Sequence, residues 1–105
     1  MSKKLGIKKR PPIHPGEQLA DILKDAGMSA NALALQIRVP ANRITTIIAG
    51  KRAITADTAL RLAKFFRTSV QFWMNLQSNY YISVATDMAA EQIDRDVTPM
   101  ARKAG

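Results

Sequence analysis

His14 is the single histidine of this chain, and there is no cysteine to join it. Metal sites need several converging ligands, and general acid–base catalysis needs a positioned partner. A lone histidine between Ile13 and Pro15, at the start of a helical pattern, therefore reads as structural. Glu17, Asp21 and Asp25 follow four apart on one side of that pattern. With no glycine-rich phosphate loop beside them, they read as a solvated helix face rather than a catalytic set. No enzyme, metal or cofactor chemistry is expected. What remains is the chemistry of recognition, concentrated in "ANRITT" at 41–46. Asn42 can pair bidentately with adenine and Arg43 with guanine, while the methyl groups of Thr45 and Thr46 can pack on a thymine methyl.

Whether those four side chains share an edge depends on the element that carries them. Five of the six residues of "RITTII" (43–48) are β-branched, which by propensity alone favours a strand. The punctuation argues otherwise. Pro40 suits a helix's first turn better than a strand interior, and Gly50 supplies a stop. At 100° per residue Ile44, Ile47 and Ile48 fall in one arc with Asn42 and Thr46 opposite, whereas a strand would split Ile47 from Ile48. A helix over about 41–49 is predicted. It must be held by packing of its isoleucines, so the isolated peptide should not be helical.

The rest of the chain reads as helices around it. Leu19, Ile22, Leu23 and Ala26 form one buried stripe, with Pro15 in the first turn and Gly27 just past the end. Ser29 is a plausible N-cap for a second helix to Ile37, with Ala30, Leu33, Ala34 and Ile37 inward. Thr55 caps a fourth, carrying Asp57 in its first turn and Ala59, Leu62, Ala63 and Phe66 inward. A fifth begins at Ser69 and is apolar over much of its circumference, so it should pack on its own core and on a partner chain. Trp73, Leu76 and Tyr80 are expected to serve as core plus dimer interface. Beyond about Val84 the periodicity weakens, and "DRDVTPMARKAG" reads as an extended or loosely ordered tail. The expected organisation is a flexible basic arm (1–12), an all-α domain (13–83) and a C-terminal extension (84–105).

Composition is consistent with one folded domain: 47% hydrophobic and 23% charged over 105 residues. The absence of cysteine fits a reducing compartment. No apolar run is long enough to span a bilayer and no signal core follows the basic N-terminus, so the expectation is cytoplasmic. The net charge of +8 is unevenly spread. Residues 38–67 hold seven cations (Arg38, Arg43, Lys51, Arg52, Arg61, Lys64, Arg67) against Asp57 alone, while residues 68–105 hold three against four acids. A polyanion is the natural partner of such a centre.

Two short helices joined by about three residues, "RVP", form the supersecondary signature of a helix-turn-helix, whose second helix enters the major groove by its N-terminal turns. Asn42 and Thr46 then face the bases, with Arg43 and Thr45 on the flanks. Ser29 and Asn31 lie at the start of the preceding helix, where backbone N–H groups favour a phosphate. Lys51 and Arg52, just past the reading helix, are placed to grip the backbone or to complement that helix's dipole. Turns of this kind commonly put glycine where Arg38 stands. Either Arg38 accepts about 1 kcal/mol of strain in return for a phosphate contact, or the turn is built differently.

"PPIHPGEQLADIL", "VPANRITTIIAGKRAITADTALRLAKFF" and "FWMNLQSNYY" together resemble the HigA/VapI-type antitoxins of the Xre (Cro/repressor-like) helix-turn-helix group. The resemblance runs from about Pro12 to Tyr81, and residues 82–105 carry no further motif. It implies a five-helix lambda-repressor-like domain that binds a palindromic operator in double-stranded DNA as a homodimer and represses its own operon. It also implies neutralisation of a small cognate toxin, usually a RelE-like mRNA-cleaving enzyme. Such toxins are basic, which makes Glu17, Asp21 and Asp25 candidate contacts. Two alternatives stand beside this: an Xre-type regulator with no toxin partner, and a protein-binding adaptor that does not touch DNA.

Overall fold

The structure, a computed structural model, describes residues 11–102. Most of the basic arm expected over 1–12, and the last three residues, lie outside that range. Five helices and no strand are present among the described residues: α1 (Pro15–Ala26), α2 (Ala30–Ile37), α3 (Ala41–Ile48), α4 (Ala56–Phe66) and α5 (Val70–Asp96).

The helix ends are set by residues legible in the sequence. Ser29, Thr55 and Ser69 each turn a side-chain oxygen back to accept a backbone N–H of the following helix, removing one of its unsatisfied donors. His14 does the same for α1, its Nδ1 accepting from the Gly16 N–H at 2.9 Å. The ring also lies edge-on to Tyr80, centroids 4.9 Å apart. The sole histidine is thus a capping and packing residue. Gly27 takes the left-handed conformation after α1 and closes it with N–H bonds to Leu23 and Lys24.

The core joins one face of every helix: Leu19 and Leu23 from α1, Leu33 and Ile37 from α2, Ile44 and Ile47 from α3, Leu62 from α4 and Trp73 from α5. Two details lock it. Gly16 is buried where α1 crosses the end of α3, and a Cβ there would sit 1.9 Å from the Ile47 carbonyl oxygen, so only glycine permits this approach. Gln77, also buried, accepts the Ile54 N–H at 2.7 Å and ties the α3–α4 loop to α5.

Two expectations are corrected. Trp73 has no exposed surface; its indole N–H donates to Thr68 Oγ1 at 2.7 Å and its ring packs against Phe66 and Phe72. It is wholly core and has nothing to offer a partner chain. Leu76 and Tyr80 remain half-buried at the rim. The weaker periodicity beyond Val84 also does not end the helix: α5 runs unbroken to Asp96, and irregular structure begins at Val97, three residues into the tail expected from Asp94. Ala85, Met88, Ala89, Ala90, Glu91, Gln92 and Arg95 are strong helix formers, and no proline intervenes before Pro99. Side-chain bonds from Gln92 to Asp96 and from Arg95 to Gln92 add local support. None of these residues is buried among the described residues, so local propensity rather than a core face carries the helix here. Among the described residues no helix is long and apolar enough to cross a membrane.

Candidate nucleic-acid interface

The turn between α2 and α3 resolves the question at Arg38. Its φ of 62° and ψ of 48° are left-handed, the conformation for which glycine is the ordinary choice. The surroundings enforce it. The Val39 N–H bonds back to the Ala34 carbonyl at 3.0 Å. The Arg61 guanidinium donates to the carbonyls of Ile37 at 2.9 Å and Arg38 at 3.4 Å. A cation from α4 therefore caps the orphan carbonyls at the end of α2, where the helix dipole is negative. The Arg38 side chain stays exposed.

α3 is helical, as its punctuation implied. Pro40 precedes its first turn at the N-cap, and Gly50 follows with φ of 80°. Ile44 and Ile47 are fully buried and Ile48 half so, which leaves the opposite edge to Asn42, Arg43, Thr45 and Thr46. These four are not equally available. Asn42 is exposed at the N-terminal turn. The Thr46 hydroxyl donates to the Asn42 carbonyl, and the Thr45 hydroxyl reaches the same oxygen at 3.4 Å. Both threonines thus satisfy their hydroxyl hydrogens on the helix itself. Arg43 is half-buried and paired with Asp57 at 3.3 Å.

Asp57 also accepts from Arg61 Nε at 3.0 Å. One carboxylate therefore links α3, α4 and, through Arg61, the turn. Each pair is exposed enough to contribute only about 0–1 kcal/mol, but the chain of contacts fixes orientation. Arg43 and Arg52 line a cavity of about 280 Å³ with Ala53, Thr55, Asp57 and Thr58, so α3 and the following loop share one concavity. Lys51 and Arg52 are exposed just beyond α3. Ser29 and Asn31 lie exposed at the start of α2; Ser29 Oγ already accepts from the Ala32 N–H at 3.0 Å, leaving its hydroxyl hydrogen to donate elsewhere. Glu17, Asp21 and Asp25 are exposed along α1.

The tethers were missed in the sequence. In the sequence Arg61 is one more positive charge and Asp57 a partner for its helix dipole, and neither names the distant group it meets. Only the i to i+4 spacing of Asp57 and Arg61 hinted at their pairing.

A helix-turn-helix with an uncrowded polar edge, set in the most basic third of the chain, belongs to the DNA-binding class. The helix-turn-helix family model matches residues 19–73. Virulence-associated protein I of Dichelobacter nodosus is 45% identical over 86 residues, covering 81% of this chain and 80% of that protein. An addiction-module antidote protein of the HigA family from Coxiella burnetii superposes with a TM-score of 0.83 at 52% identity, over 87% of this chain and all of that one. The Pseudomonas aeruginosa antitoxin HigA, solved with the higBA promoter, gives a TM-score of 0.81 at 43% identity over 86% of this chain and 99% of its own. The chain belongs to the HigA/VapI-type antitoxins of the Xre helix-turn-helix family.

Proposed function

We propose that this protein is the antitoxin of a type II toxin–antitoxin module, binding its operator as a dimer through α3 to repress its own operon. The observation that carries the reading is the exposed Asn42 edge of α3, flanked by Lys51 and Arg52 on a helix whose other face is locked in the core. Asn42 reads a base edge, and the hydroxyl-satisfied threonines offer methyl groups to thymine. Arg43 reads a base once it leaves Asp57. Ser29, Asn31, Arg38, Lys51 and Arg52 contact phosphates and set the register. The solved structure of the similar Pseudomonas aeruginosa antitoxin HigA with the higBA promoter supports this half of the proposal.

A single helix-turn-helix covers one half-site, so a palindrome calls for a two-fold pair. With Trp73 buried, the pairing surface falls to α5 beyond it, from Leu76 and Tyr80 toward the exposed distal turns. The second activity is neutralisation of a cognate RelE-like, mRNA-cleaving toxin. The exposed acidic row of Glu17, Asp21 and Asp25 complements a basic enzyme.

Operator binding by Asn42→Ala and Lys51→Ala, titrated over salt concentration, tests the DNA half. Asn42→Ala should lose about 1–3 kcal/mol of base discrimination. Lys51→Ala should weaken all duplexes alike and lower the salt slope by about one. Wild-type binding by both would refute the docking orientation. Co-purification with the product of the adjoining gene tests the toxin half, and the absence of a small basic neighbour would favour a regulator without a toxin.

A further inference from the structure

The proposed dimer leaves open what the far end of α5 rests on. At about 1.5 Å per residue, the 27 residues of α5 form a rod of about 40 Å. Its buried residues, Trp73 and Gln77, both lie in its first third. The radius of gyration is 18.1 Å, against about 13 Å for a compact domain of this length. The distal turns therefore project from the domain. They are not a polar spacer, because Ile82, Thr86, Ala89 and Ile93 recur on one arc, with Ile82 61% and Ile93 51% exposed. The same segment is acidic: Asp87, Glu91, Asp94 and Asp96 stand against Arg95.

The complementary surface lies elsewhere on the molecule. Between α2 and α4 an open apolar groove of about 320 Å³ is lined by Gln36, Ile37, Leu60, Arg61, Lys64 and Phe65. Leu60 is 57% and the adjacent Leu35 76% exposed. Cations border it, with Arg61 and Lys64 in the lining and Arg67 at the end of α4.

We infer that the acidic distal half of α5 from one copy of this chain seats its Ile82–Ile93 face in the basic-rimmed α2–α4 groove of a second copy. The inference rests on the dimer reading above and names its contact. A chain cannot fill its own groove, since α5 leaves α4 at Ser69 as an unbroken helix and carries the acidic turns away. Two copies exchanging helix for groove make two identical contacts and close as a two-fold pair. A basic toxin would be repelled by this rim, and phosphate would gain nothing from Leu35, Leu60 and Phe65.

Charge exchange in the full-length protein tests this by sedimentation equilibrium without DNA. Lys64→Glu and Asp94→Lys each change an exposed residue, so folding should survive, as circular dichroism would verify. Each should weaken dimerisation about tenfold or more, and the double variant should recover it. Because the chain lacks cysteine, L60C/I93C under mild oxidation should give a reducible covalent dimer, whereas I82C/I93C should not. If both charge variants dimerise like wild type, or only I82C/I93C cross-links, the groove is not the seat and the dimer reading stands without it. If Lys64→Glu dimerises like wild type but loses operator binding in a parallel fluorescence-anisotropy titration, the groove belongs to the operator contact and the inference falls. A wild-type monomer at all concentrations would remove the dimer reading and this inference together.

Discussion

Five of the eight residues of α3 are β-branched, and two of them, Ile44 and Ile47, are fully buried. The last thirteen residues of α5, 84–96, are rich in alanine and long unbranched side chains, and none of them is buried. Both segments are helical. In α3 the fixed core imposes the helix on a sequence that by itself favours extended backbone. In distal α5 local propensity and i,i+4 bonds maintain the helix without a core. The functional consequence differs too. Packing fixes the orientation of a surface, as reading a groove requires, whereas propensity fixes only a shape and leaves its apolar face for a partner.

The sharpest test of the contrast is Ile44→Ala. Alanine is the better helix former, yet removing this buried side chain should cost about 2–5 kcal/mol in denaturant unfolding and abolish operator binding. If stability were retained, α3 would be held by something other than its core face. Gly16→Ala attacks the same element from α1. With a Cβ 1.9 Å from the Ile47 carbonyl, α1 and α3 must separate. A loss of about 1–3 kcal/mol is expected, read as a lower midpoint, with DNA affinity falling alongside because α3 shifts.

Ala89→Gly probes the other side of the comparison. It should cost about 1 kcal/mol of local helicity in distal α5. Hydrogen exchange should quicken around 85–96 while the domain's unfolding midpoint in the monomer barely moves. A cooperative loss of the whole fold would mean that the distal turns are part of the core after all. Asp57→Asn is the smallest change. Its pairs with Arg43 and Arg61 contribute no more than about 1 kcal/mol. Releasing Arg43 should tighten binding to any duplex by at most about fivefold and steepen the salt dependence, as fluorescence anisotropy would show.

The order and type of the helices and three of their N-caps were legible, whereas the His14 cap of α1 and the extent of α5 were not. Ser29, Thr55 and Ser69 act on backbone within three residues of themselves, and Gly27 and Gly50 answer to a local dihedral requirement. The isoleucine arc of α3 was legible because a core face repeats at the helical period. Of the candidate interface, Asn42 and the exposure of Lys51 and Arg52 followed from the same wheel. The pairing of Arg43 with Asp57 did not, because it joins residues fourteen apart whose approach depends on how α3 and α4 cross. The withdrawal of Trp73 from the surface had the same origin: a broad apolar helix does not reveal which of its faces meets its own domain.

By itself the sequence determined that the chain is an all-helical, cationic helix-turn-helix protein. Caps, turns and periodicity are local, and net charge needs no coordinates. Tertiary structure decided which of the polar residues on α3 are available. It also set Arg38 in a left-handed turn under the Arg61 guanidinium and required a glycine at position 16. Those outcomes depend on contacts between residues distant in the chain, where a shift of an ångström exchanges a hydrogen bond for a clash.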